Sequence, residues 1–294
     1  MSRSPADAPL GAAGRVLVVA EIGSNHDGRL ERATALVDAA ARAGADAVQF
    51  HSFQASQLHA PRARGATNGR SPALTHDRPE RVELRPEWHA VLRDHAGRAG
   101  LRFLSTPFDA GRAALLAALG VCAFPVDATD VTHGALLRVV GGYGRPILLG
   151  TALASQEDVD VALAAIADGA GAPERRPPVV LVAGPRAGTD GAGDLRALDA
   201  LARRYDCAVG WSDAHEGTTL VLGAVARGAV IAVKRFTDDR GRQGPAHATA
   251  LDPAAFGVFA AAIRDLERAI GGGSGRPRRG PRAAEARRVQ DDVA

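Results

Sequence analysis

Short apolar runs and amphipathic stretches take turns along this chain. Eight runs stand out: "RVLVVAEIG" (15–23), "ADAVQFHSF" (45–53), "RFLSTPF" (102–108), "CAFPVDA" (122–128), "PILLGTA" (146–152), "VVLVAG" (179–184), "CAVGWSD" (207–213) and "AVIAVKRFT" (229–237). They are rich in Val, Ile and Leu without regular polar alternation, so they predict parallel strands buried on both faces. Helical patterns lie between them. The stretch 29–44 puts Leu30, Ala33, Val37 and Ala40 on one face, and 85–100, 155–171, 194–205, 217–228 and 252–273 follow. Ser155 with Asp158 three residues on, and Asp252 before Pro253, are helix-start signals. Strand and helix in regular alternation predict an α/β fold, a single-domain (β/α)8 TIM barrel. The competing doubly wound sheet would need a G-x-G-x-x-G turn after the first strand, and none is there. One long connection, 54–84, follows the second strand and so belongs to the carboxyl face, where it is expected to form a lid or binding loop.

The flanks read differently. Residues 1–14 are expected to be a flexible N-terminus, 15–270 the barrel, and 271–294 a disordered basic tail rich in Gly, Pro and Arg. Hydrophobic residues are 46% of the chain but aromatics only 4%, so the core must be mostly Ala, Val and Leu. The net charge is +3, with much of the excess in the tail, which gives no case for nucleic-acid binding. No apolar leader core and no membrane-length run is present. Cys122 and Cys207 lack metal-ligand spacing, which suits a reducing, cytoplasmic setting. Lys234 is the sole lysine among 36 basic residues, so lysine chemistry has one candidate.

The strand ends carry the chemistry. "AEIGSNHDG", "AGADAVQFHSF", "LRFLSTPFD", "GRPILLGTALAS", "VGWSDAHEGT" and "VKRFTDD" with "GPAHATAL" occur in the order seen in the sialic acid (N-acetylneuraminate) synthase family, and residues 15–270 resemble that family's catalytic barrel. The resemblance implies a metal-dependent condensation of phosphoenolpyruvate with an amino-sugar aldehyde. Such a site needs cations for the anion, a divalent metal for the aldehyde and a carboxylate for protons. Glu21 matches the family's strand-one glutamate, Asn25 and His26 the Asn-His after it, Thr106 a phosphate-contacting threonine, and Ser212 with Asp213 the G-x-S-D-H motif. Departures are heavy. Gln49 and Pro125 replace two lysines, His51 a glutamine, and Asp127 and Ala128 two small residues. Gly150 replaces a serine, Ala214 and Arg235 two metal histidines, Val233 a glutamate and Ala246 an aspartate. The family's C-terminal antifreeze-like domain is not expected here.

Each hydrogen bond to a charged group contributes about 1.5–3 kcal/mol, so losing two lysines costs on the order of 3–6 kcal/mol of anion binding. No cofactor is assigned. Mn²⁺ or Mg²⁺ belongs to the family, but its ligand positions are Ala214 and Arg235 here. His215 is a weak metal candidate, because a one-residue shift normally turns a strand side chain to the other face. Arg235 returns one cation. The expected catalytic residues are Glu21, His51 and Asp127, and the expected substrate-binding residues are Asn25, Gln49, Thr106, Ser212, Asp213 and Arg235. Structural alternatives stand beside these: a Glu21–Arg235 ion pair, capping by Asp127 and Asp130, loop anchoring by His26, and an outward Lys234. The function implied is carbohydrate biosynthesis of the sialic acid type, by the condensation or a reaction derived from it. The alternatives are a catalytically inactive member that regulates a paralogue, and a metal-free isomerase or lyase. The expected partner is a small-molecule sugar or carboxylate, with no nucleic acid and no membrane; a homodimer or a complex with a paralogue stays open.

Overall fold

The computed structural model describes residues 15–58, 79–185, 193–244 and 246–271. The eight apolar runs become eight strands: β1 (Leu17–Gly23), β2 (Ala47–Ser52), β3 (Arg102–Pro107), β4 (Phe124–Val126), β5 (Ile147–Gly150), β6 (Val179–Ala183), β7 (Ala208–Asp213) and β8 (Ile231–Arg235). Among the described residues the helices are α1 (Leu30–Arg42), α2 (Ala55–Leu58), α3 (Trp88–Arg98), α4 (Ala110–Leu119), α5 (Gly134–Gly142), α6 (Gln156–Ala170), α7 (Arg196–Tyr205), α8 (Thr219–Ala226) and α9 (Pro253–Ile270). The strands form one eight-stranded sheet in the order β3-β2-β1-β8-β7-β6-β5-β4, and all paired neighbours are parallel. This is the (β/α)8 barrel.

The strand period of two splits the core into layers. Leu17, Val19, Leu104, Leu148, Val182 and Val233 pack inside the barrel. Val18, Ala20, Val48, Leu149, Leu181 and Trp211 face outward against the helices. Both layers are closed to solvent, which is why these strands read as continuous apolar runs. Among the described residues no helix is long and apolar enough to cross a membrane.

The helix-start signals hold. The Ser155 hydroxyl accepts from the Asp158 N–H while the Asp158 carboxylate accepts from the Ser155 N–H, a full capping box on α6. Asp252 caps α9 at the Ala255 N–H. Two helices carry no clear stripe in the sequence. In α4, "AGRAALLAAL" is almost wholly apolar, and α5 has nine residues of which three are glycine. Glycine lets α5 and α6 touch backbone to backbone: a Cβ on Gly169 would lie 1.9 Å from the Arg138 carbonyl oxygen, and one on Gly141 2.3 Å from that of Ile166.

β4 is shorter than the 122–128 run, and no ladder joins it to β3 among the described residues. The cause lies in one residue. The Phe124 N–H donates to Pro146 O on the β5 side, so the next residue's N–H would face β3. That residue is Pro125, which has none. The two strands pack side by side without ladder bonds. The greater part of the expected 54–84 loop, residues 59–78, lies outside the described residues, as do 1–14 and 272–294.

Candidate functional site

Glu21 stands near the carboxyl end of β1, flanked by Gln49 on β2 and Arg235 on β8. Just past it the β1–β2 register slips, so that Glu21 faces Gln49 and Gly23 faces Phe50. Gly23 is left-handed (φ 54°), and a Cβ there would lie 3.0 Å from the His51 ring. Glycine at 23 therefore makes room for His51, whose Nε2 lies 3.1 Å from Glu21 Oε1. Phe108 packs edge-on against the same ring at 5.6 Å. Burial pushes the Glu21 carboxyl up, but the hydrogen bond and field of His51, with the Arg235 guanidinium beyond, outweigh it. The net effect holds Glu21 below the usual carboxylate range.

A cavity of about 240 Å³ opens at the carboxyl end of the barrel. Glu21, Gln49, Thr106, Asp127, Ser212 and Arg235 line it, with Leu148, Val182 and Val233 as its apolar floor. These polar residues come from β1, β2, β3, β7 and β8 and the end of β4, so the barrel itself brings them together. The Gln49 amide donates to Thr106 Oγ1 at 3.1 Å. Asp127 caps the short turn after β4, accepting from the Thr129 N–H (2.9 Å) and hydroxyl (2.7 Å), and it also lines the cavity. Burial raises its carboxyl above the ordinary value, against the lowering effect of the Thr129 bonds. Gly150 on β5 admits no side chain: a Cβ would lie 2.6 Å from the Ala128 backbone nitrogen.

A second cavity of about 10 Å³, room for one water, adjoins the first. It is lined by Glu21, Asn25, Asp27, His51, Arg235 and His247, among others. Here the Asn25 amide is engaged with the Phe236 carbonyl at 2.9 Å, tying the β1–α1 turn to the end of β8. His26 is buried between Phe50 and Trp88, and its Nδ1 accepts from the Gly28 N–H at 3.1 Å, so it anchors the same turn.

Asp213 is a correction to the expected substrate-binding set. It sits one residue past Ser212 and so turns to the opposite face, where it lies beside Lys234 on the neighbouring strand. Asp213 Oδ2 and Lys234 Nζ are 3.5 Å apart, both buried. Lys234 also donates to the carbonyls of His215 and Gly217, which fixes the β7–α8 loop. The Glu21–Arg235 ion pair does not form among the described residues; the partner of Glu21 is His51. Sequence reasoning passed over Asp27 and His247. His247 Nε2 is 3.0 Å from Asp27 Oδ1, and its Nδ1 is 2.7 Å from Thr237 Oγ1. Their signal was the histidine of "GPAHATAL", next to the altered Ala246.

The side chains present do not fit the divalent ion that the sequence resemblance implies. Position 214 is a methyl group, and position 235 is a guanidinium that repels a cation. Among the described residues no three His, Cys, Asp or Glu side chains converge on a common point. The Nδ1 of His215, the weak metal candidate, lies 3.2 Å from Asp213 Oδ1.

Barrel and pocket together define a (β/α)8 protein whose carboxyl face holds a cavity with polar side chains set in an apolar wall. The chain belongs to the NeuB family, whose sequence profile matches residues 36–275. It is 30% identical over 263 residues to the N,N'-diacetyllegionaminic acid synthase of Campylobacter jejuni, covering 88% of this chain and 78% of that protein. Among solved structures it is similar to the spore coat polysaccharide biosynthesis protein SpsE of Bacillus subtilis, with TM-score 0.72, 30% identity, and 90% and 71% of the two chains covered. An N-acetylneuraminic acid synthetase from Leptospira borgpetersenii shares the fold with TM-score 0.78 at 24% identity, covering 95% and 92% of the chains.

Proposed function

We propose that this protein acts in the biosynthesis of sialic-acid-type carbohydrate, by carbon–carbon bond chemistry derived from the condensation that its sequence resemblance implies. One observation carries the reading. Two carboxyl groups, Glu21 and Asp127, line one pocket in environments that push their pKa values apart. Such a divergence assigns base and acid. Glu21, kept ionised, accepts a proton from a sugar hydroxyl or from carbon next to a carbonyl. Asp127, kept protonated to higher pH, returns one to the oxygen that gains charge. His51 holds Glu21 in place and stabilises its anion. Gln49, Thr106 and Ser212 supply neutral hydrogen bonds that suit a polyol. The thiols of Cys122 and Cys207 support a reducing, cytoplasmic setting.

The test is NMR of the protein in D₂O with a 2-acetamido sugar aldehyde plus phosphoenolpyruvate, and separately with N-acetylneuraminate. The expected result is a new or broken carbon–carbon bond, or deuterium uptake next to a carbonyl, with Glu21→Gln slower by about 10²-fold or more. Turnover unchanged in that variant would refute the assignment.

A further inference from the structure

Arg235 is the one lysine or arginine side chain lining the wide cavity among the described residues, and little of its hydrogen-bonding capacity is used. Among the described residues its guanidinium makes one hydrogen bond, from Nη1 to Thr249 Oγ1 at 3.1 Å, and no ion pair. A guanidinium presents five N–H groups in a planar fork that matches a carboxylate. Arg235 is only half-buried and borders both cavities. Lys234, next in the chain, faces the helices and is engaged by Asp213 and two loop carbonyls.

The rest of the pocket argues against a highly charged anion. Glu21 and Asp127 bring two carboxyl groups to the same cavity. At β5, where the resemblance places a hydroxyl, Gly150 is locked against Ala128 with no space for a side chain. One fixed positive charge beside two carboxyl groups is matched to a single carboxylate surrounded by hydroxyls. It is mismatched to a phosphate ester that also carries a carboxylate.

We propose that Arg235 is the receptor for the carboxylate of a monoanionic sugar acid, and that its guanidinium takes the place of a divalent cation, so that binding is metal-independent. The inference rests on the reading of this pocket as a carbohydrate site and adds the charge class of the ligand. The experiment is calorimetric titration of the full chain with N-acetylneuraminate, with its methyl ester, and with phosphoenolpyruvate, each in EDTA and in Mn²⁺. The free acid is expected to bind equally in both buffers, at least tenfold tighter than the ester, with phosphoenolpyruvate weaker than the acid. Arg235→Gln should erase the acid–ester difference, and Arg235→Lys should restore part of it. The comparison of acid with ester in the unaltered protein stands even if a variant fails to fold. Equal binding of acid and ester would overturn the role of Arg235 while leaving the sugar pocket and the Glu21 chemistry intact. Tighter binding of phosphoenolpyruvate, a requirement for Mn²⁺, or no binding of any ligand would overturn the inference, whereas the acid–base reading falls only with the Glu21→Gln turnover test.

Discussion

His51 is what keeps Glu21 ionised in a buried place. Replacing it by Asn removes the hydrogen bond and the positive field, leaving burial to dominate, so the Glu21 pKa should rise. The acid limb of the pH–rate profile is then expected to move to higher pH in His51→Asn, as steady-state rates across pH would show. His26 gives a stability counterpart. Burial lowers its pKa from 6.5 to about 4, so the unfolded chain takes up a proton first as pH falls. Its contribution is complete above pH 6.5 and is lost towards pH 4, by about 3 kcal/mol in all. Urea unfolding of the wild type and His26→Gln across that range should show a shallower slope in the variant. The inward residues at the strand ends were legible through the family resemblance, which sets Gln49, Thr106, Asp127, Ser212 and Arg235 on the same face as Glu21. Asp213 was not, because in a strand adjacent motif residues belong to opposite faces. The Glu21–His51 bond escaped notice because the register slip after Glu21 has no signature beyond one glycine.

The eight strands could be read from the chain because short Val, Ile and Leu runs without polar alternation, spaced between helical patterns, suit strands covered on both sides. Helices α4 and α5 could not, since one has almost no polar face and the other is short and glycine-rich. The α5–α6 contact shows what that glycine does. Gly169→Ala would drive a methyl group into the Arg138 carbonyl, and the expected cost is at least about 1–3 kcal/mol in chemical denaturation. Gly97 in α3 is the opposite case: a Cβ there meets nothing within 4 Å. Gly97→Ala should stabilise by about 0.5–1 kcal/mol through helix propensity alone. The same change thus carries opposite signs in two helices, decided by what lies across from each.

At the scale of the molecule, among the described residues seven of the eight neighbour contacts around the barrel are laced by ladder bonds, and the eighth, between β3 and β4, is not. The amides of Phe103 and Ser105, which β3 turns towards β4, should therefore exchange faster than those of Leu104 and Thr106, which it turns towards β2, and Pro125→Val, which restores the donor facing β3, should slow exchange along the seam. Equal protection of both sets would mean that packing alone closes the ring as tightly as hydrogen bonds do. The position that interrupts the lacing is also a wall of the pocket, since Pro125 lines it. A cylinder with one unlaced seam can widen or narrow its circumference without giving up a ladder bond. The compliance of this barrel is thus expected to be greatest at the wall of its own pocket, where the lining residue is a proline ring.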